Sequence, residues 1–193
     1  MYERLYYIVN AITVYRLATA PLLIFLALDH QPGPFKWLLA VSFFTDAIDG
    51  YLSRLYKVTS ITGSRLDSLA DDFTIVAAIT GLFIFKPGFI RHELVLIGVL
   101  LGLFILQTGL ALIRYRKMTS FHTYLAKTAA IMQGIFLLLM FFLDEPPYVI
   151  FYIAAIITML DLTEEIVLVL ILPHWQTDVK GLYWVSKNKI KNH

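Results

Sequence analysis

From residue 94 to residue 113 the chain runs twenty positions without a charged side chain. A helix rises about 1.5 Å per residue, so a run of this length matches the ~30 Å hydrocarbon core of a bilayer. Inside that core an unpaired backbone amide or carbonyl costs several kcal/mol, which leaves the helix as the only open-chain solution. Five more apolar runs of similar length occupy residues 11–28, 35–56, 61–85, 121–143 and 148–172. Pro and Gly in DHQPGP (29–34), in the segment 86–91, in DEPP (144–147) and at Pro173 punctuate them. At 59% hydrophobic residues and a mean hydropathy of +0.72, the chain lies well above the ~45–50% of soluble domains. The expected fold is an all-α integral membrane protein with six transmembrane helices and one domain over 1–193. Residues 1–10, rich in tyrosine, are expected to form a short interfacial helix. Residues 174–193 are expected to be a solvated basic tail drawn to anionic lipid.

Six spans place both termini on one side. That side collects Arg4, Arg16, Arg54, Lys57, Arg65, Arg114, Arg116, Lys117, Lys127, Lys180, Lys187, Lys189 and Lys191, against Lys36, Lys86 and Arg91 on the other. The bias makes the first side cytoplasmic, and Arg16, early in its span, is expected to snorkel towards it. The localisation expected is a cell (inner) membrane. A net charge of +2 argues against a nucleic-acid partner, and the absence of cysteine excludes disulfides and thiolate metal sites. The opening MYERLYYIVN lacks the basic and small-residue flanks of a signal peptide and reads as mature sequence.

Against this apolar background the stretch 45–72 carries five aspartates, and charge within membrane segments is costly and usually functional. At 3.6 residues per turn Asp46, Asp49, Gly50, Ser53 and Arg54 share one arc of the second span, and Ser60, Gly63, Asp67 and Asp71 share one arc of the third. Asp72 is turned from Asp71 by about 100° and reads as solvated or peripheral. Two facing helices would aim four carboxylates at one point, where mutual repulsion calls for a cation. Oxygen-only ligands suit Mg²⁺, Mn²⁺ or Ca²⁺. Elsewhere, Asp161, Glu164 and Glu165 in the sixth span are expected to pair with a basic side chain of another helix or across a dimer interface. His122 reads as structural.

These residues resemble the signature of the CDP-alcohol phosphotransferase family, D-x-x-D-G-x-x-A-R-x(8)-G-x-x-x-D-x-x-x-D. Asp46, Asp49, Gly50, Arg54, Gly63, Asp67 and Asp71 match, and Ser53 stands where the family has Ala. Asn10, Thr13 and Arg16 are similar to its N-x-x-T-x-x-R element. The resemblance implies transfer of a phosphoalcohol group from a CDP-alcohol to an acceptor hydroxyl with release of CMP, in a homodimer carrying two Mg²⁺ or Mn²⁺ ions per site. It implies that Asp46 and Asp67 bridge the ions, that Asp49 holds one and Asp71 the other, and that Asp71 also takes the acceptor's proton. It further implies donor contacts from Asn10, Thr13, Gly50, Arg54, Ser60 and Gly63. Arg114, Arg116 and Lys127 match a basic pocket for an acceptor's phosphate, although Ala126 replaces the family's Gly before the lysine. A cytoplasmic boundary is normally basic, so those three residues equally suit the role of topology markers.

The residue types suit that chemistry independently. Displacement at phosphorus builds negative charge on the bridging oxygen of a diphosphate, and paired metals about 3.5–4 Å apart can bind both ends of it. Glycines let a nucleotide or a neighbouring helix come close, and an arginine's fixed fork matches phosphate. The expected donor is CDP-diacylglycerol or a related CDP-alcohol, and the preferred acceptor is glycerol 3-phosphate. Inositol phosphate, serine, phosphatidylglycerol and a CDP-choline or CDP-ethanolamine type of donor stay open. Two other classes would leave different patterns. An intramembrane prenyltransferase would repeat its acidic motif on a longer chain, and a divalent-cation transporter would distribute acids through the bilayer instead of at one depth.

Overall fold

The computed structural model describes residues 2–56, 61–117, 119, 121, 123–177 and 179–191, with backbone only for 2–10, 49–56, 61–69, 72 and 188–191. Its elements are all helical: α1 Tyr2–Leu28, α2 Pro32–Tyr56, α3 Ile61–Phe85, α4 Pro87–His92, α5 Leu94–Tyr115, α6 Tyr124–Phe142, α7 Tyr148–Ile171 and α8 Leu182–Lys191. Among the described residues, three segments are long and apolar enough to cross a membrane: Ala11–Leu28, Leu94–Tyr115 and Tyr124–Phe142. The backbone forms two compact units, Met1–Arg91 and His92–His193.

In the first unit α1 packs along both α2 and α3. Small residues make the approach close: Ala20, Ala27, Ser42, Ala70, Ala77 and Ala78 are fully buried, as is common where apolar association gains nothing over lipid. Thr19 hydrogen-bonds the Arg16 carbonyl at 2.9 Å and lies 3.3 Å from the Ser42 hydroxyl, so polar groups inside the bundle are satisfied locally. Phe35, at the start of α2, meets Phe85, at the end of α3, edge to face at 5.3 Å. The helical path is continuous from Tyr2 to Leu28, so the separate interfacial helix expected over 1–10 is the first part of α1. No breaker occurs between Tyr2 and Thr19, and Pro21 removes one donor without ending the helix.

In the second unit α7 lies between α5 and α6, with Phe136 against Phe151 at 5.2 Å. Large apolar side chains such as Val95, Ile105, Ile113, Ile131, Val149 and Ile156 face outward, the pattern of a surface whose solvent is lipid. α5 stops at Arg116, whose left-handed backbone returns its amide to Leu112 O at 2.9 Å. Thr123 opens α6: its Oγ1 accepts the Ala126 amide at 3.0 Å and donates to Asp161 at 3.3 Å.

Two expectations change here. Within one chain, among the described residues, Asp161 and Glu165 take neutral donors in place of the basic side chain expected from another helix. Gln107 Nε2 donates to Glu165 Oε2 at 2.6 Å, the Thr119 hydroxyl donates to the same oxygen at 3.2 Å, and Thr123 serves Asp161. Glu164 Oε1 accepts the Leu182 amide at 2.8 Å. Nearby amides and hydroxyls supply these bonds without an opposite charge in apolar surroundings, while Glu164 Oε2 is buried with no hydrogen bond among the described residues. The tail, expected to be merely solvated, folds into α8 because Leu182 and Val185 pack on a core of Ala111, Phe121, Leu168, Val169, Leu172 and Val179. Gln107→Leu takes from Glu165 its shortest bond and is expected to cost about 1–3 kcal/mol. That lowers the melting temperature of the purified protein by several degrees, and an unchanged melt would remove this network as a stabilising element.

Candidate active site

Arg16 is the centre of the first unit's polar interior. It lies on the α1 surface that faces both α2 and α3, and its side chain is 2% exposed. Asp46 reaches it from α2, with Arg16 Nη1 to Asp46 Oδ1 at 2.8 Å. Asp71 reaches it from α3, accepting from Arg16 Nη2. A buried guanidinium needs opposite charge and several acceptors, and its fork can serve two carboxylates at once. The predicted snorkelling of Arg16 is thereby corrected: pairing with two carboxylates, one from α2 and one from α3, outweighs a reach to the surface. The two aspartates are 40% and 45% exposed at their side chains, so the buried partner is the cation and the anions open outward. Thr13, one turn before Arg16 on α1, is also buried.

Two of the four predicted ligands, on different helices and 25 positions apart by their numbers, are thus brought to a common point. The side chains of Asp49 and Asp67 lie outside the described residues, as do those of Asn10, Gly50, Arg54, Gly63 and Asp72 and the whole of Ser60 and His122. Among the described residues no group of three or more metal-ligating side chains occurs. The donor set nevertheless fits a hard divalent cation. Both side chains supply carboxylate oxygen and come from separate helices, and the Arg16 guanidinium that now pairs with them is the charge an ion would have to share them with.

The predicted acceptor residues belong to the second unit, where each has a local contact. Arg114 Nη2 donates to Leu172 O at 3.2 Å at the end of α7. Arg116 terminates α5. Lys127 is exposed, with Nζ 5.8 Å from the Tyr124 ring centroid. Arg114 and Arg116 thus lie at helix ends, and the Lys127 ammonium is at the surface.

Sequence reasoning put Arg16 in a matching element and gave it no role in the site. The signal available was its burial-prone position, three residues after Thr13 in a run otherwise free of charge through Leu28. Gln107 and Thr119 as partners of Glu165 carried no signal at all, since the residues are separated by 58 and 46 positions.

A chain whose described elements are all helical, with membrane-length segments and carboxylates from two helices gathered on an arginine of a third, defines a class of membrane proteins with a polar site between helices. The model of the CDP-alcohol phosphatidyltransferase family matches residues 6–171, and the chain belongs to that family. It is similar to the CDP-diacylglycerol–inositol 3-phosphatidyltransferase of Saccharomyces cerevisiae, 40% identical over 67 residues that cover 35% of this chain and 30% of that protein. It is also similar to a cardiolipin synthase (CMP-forming)/mitochondrial hydrolase fusion protein of Schizosaccharomyces pombe, 33% identical over 78 residues that cover 40% of this chain and 13% of that one. The matched segments are less than a third of either relative's length. No solved structure matches the chain.

Proposed function

We propose that this protein transfers a phosphatidyl group from CDP-diacylglycerol to the hydroxyl of a small polyol, with glycerol 3-phosphate as the preferred acceptor, releasing CMP. The observation that carries the reading is the convergence of Asp46 and Asp71 on one buried cation, at two positions of the family's acidic signature. The helices are read as six spans with both termini in the cytoplasm, and the enzyme as a homodimer in a cell membrane. Asp46, Asp49, Asp67 and Asp71 would hold a pair of Mg²⁺ or Mn²⁺ ions, which supply positive charge to the donor's diphosphate oxygens.

The chain's own groups do the remainder. The Asp71 carboxylate takes the proton of the acceptor hydroxyl; the acceptor oxygen bonds to the phosphatidyl phosphorus as the bond to the bridging oxygen breaks, and that oxygen leaves with CMP. Arg54 and the donor-side residues Asn10, Thr13, Gly50, Ser60 and Gly63 orient the nucleotide and its phosphates. An arginine fork suits that task, and glycines permit a close approach. Arg114, Arg116 and Lys127 favour an acceptor that carries its own negative charge.

The test is CMP release by reconstituted protein given CDP-diacylglycerol, Mn²⁺ or Mg²⁺, and separately glycerol 3-phosphate, inositol, inositol phosphate, serine or phosphatidylglycerol. CMP with glycerol 3-phosphate and with no other acceptor supports the reading in full. Inositol as the sole productive acceptor would move this protein towards its yeast relative. No CMP with any acceptor, together with Mn²⁺ uptake into proteoliposomes, would replace the enzyme with a transporter. Lys127→Ala is expected to raise KM for a phosphorylated acceptor while sparing kcat; an unchanged KM would leave Lys127 with only its place at the membrane boundary.

A further inference from the structure

In the second unit one end is built from four elements. α5 finishes there at Tyr115, α6 begins there at Tyr124, α7 ends there, and α8 is packed across it. The Tyr115 hydroxyl donates to Val169 O at 3.0 Å and Leu172 O at 2.8 Å, which fixes the α5 and α7 termini at one level. α5 and α6 are membrane-length segments, so this level is where hydrocarbon gives way to headgroups.

α8 is held in place by specific contacts. The Leu182 amide donates to Glu164 Oε1 at 2.8 Å, the Tyr124 amide donates to Lys180 O at 3.3 Å, and Leu182 and Val185 pack on the core. Gly181 makes the entry at φ +142°, where a Cβ would stand 3.0 Å from Glu164 Oε1. With its apolar side docked, α8 turns Tyr183 and Trp184 outward, 66% and 41% exposed.

The outward surface repeats one pairing. Lys117 Nζ lies 4.6 Å from the Trp175 ring centroid, Lys127 Nζ 5.8 Å from Tyr124 and Lys187 Nζ 5.9 Å from Tyr183. Trp184 joins two of these pairs, at 5.2 Å from Tyr124 and 5.4 Å from Tyr183. Segment 114–127 has Arg114, Arg116, Lys117 and Lys127 and no acid; segment 173–193 has Lys180, Lys187, Lys189 and Lys191 against Asp178. Amphipathic rings settle at headgroup depth, and ammonium groups beside them meet lipid phosphates. Each lysine near an anionic leaflet adds attraction that falls off within a Debye length.

We infer that this end is a docking surface for anionic phospholipid headgroups, with α8 as its folded interfacial element and Glu164 and Gly181 as the residues that seat it. The occupant is a bilayer surface, because the exposed aromatic rings and the spaced lysines match a plane of headgroups at the end of two membrane-length helices. The inference does not depend on the proposed catalysis.

The test is hydrogen exchange of the α8 amides in the full chain, carried in nanodiscs of phosphatidylcholine alone or mixed with phosphatidylserine, with no donor, acceptor or metal. Nanodiscs expose both faces, so insertion direction does not enter. The α8 amides are expected to exchange about tenfold more slowly in the anionic discs, and added salt should shrink the difference. Lys117→Gln with Lys187→Gln should shrink it further, since six basic residues of this end remain, while exchange in α5 and α6 stays as in the unmodified protein and reports an intact fold. Equal exchange in the two kinds of disc, or a difference left unchanged by salt or by the paired substitution, would overturn the inference.

Discussion

Asp46→Asn is expected to abolish CMP release from CDP-diacylglycerol and to weaken metal-dependent donor binding. Asp46 provides carboxylate oxygen at the point where the α2 and α3 carboxylates meet, and an amide of the same shape cannot supply its charge. Asp67→Asn should behave alike, on the strength of its place in the family's signature. Asp71→Asn should differ. As the proton acceptor it should lose about 10²-fold or more in kcat with donor affinity largely kept. The separate measurements are turnover and equilibrium binding of the donor in the presence of Mn²⁺. Near-normal turnover in Asp46→Asn would remove the metal assignment, and equal losses of kcat and affinity in Asp71→Asn would confine that residue to ligation.

Removing the carboxylates is expected to cost more stability than removing the arginine they share. Arg16 is almost fully buried and cannot follow its charge to water, whereas Asp46 and Asp71 are 40% and 45% exposed. Asp46→Asn with Asp71→Asn takes two anions from a buried cation, a loss of about 3 kcal/mol on the scale of broken buried pairs. Arg16→Met leaves two carboxylates that still reach solvent, and screening reduces the cost to about 1 kcal/mol. Thermal melts in detergent with chelator present should rank the two accordingly. Added Mn²⁺ should then raise the melting temperature of Arg16→Met more than that of the unmodified protein, because the ion no longer shares its carboxylates with a guanidinium. The opposite ranking in chelator would mean that Arg16 is held by something other than this pair, and identical Mn²⁺ shifts would separate the arginine from the ion's site.

Much of the molecule was legible before any coordinates. The third apolar run, 61–85, coincides with α3, and the fourth and sixth differ from α5 and α7 by a residue or two at one end. Length and hydropathy suffice in such cases, since a lipid-facing backbone has no competing conformation. The tail's helix is not evident from LYWVSKNKIK itself, which is short, low in mean hydropathy and has a lysine at every second position near its end. Its helix depends on partners distant in sequence, Glu164 and the core under Leu182 and Val185. The acids of α7 were read as needing cations for a similar reason: neutral donors such as Gln107 cannot be assigned to them from spacing.

Sequence alone determined that the chain is helical and rich in membrane-length segments, that its aspartates recur at one-turn intervals, and which family it belongs to. These follow from local rules, in which hydrocarbon forces backbone bonding inward and helical period puts every third or fourth residue on one face. Only the tertiary structure decided that Arg16 is the meeting point of Asp46 and Asp71, that Glu165 takes bonds from Gln107 and Thr119, and that the tail is a seated helix. Those choices depend on which side chains are buried together, and burial is a property of packed helices that no single segment carries.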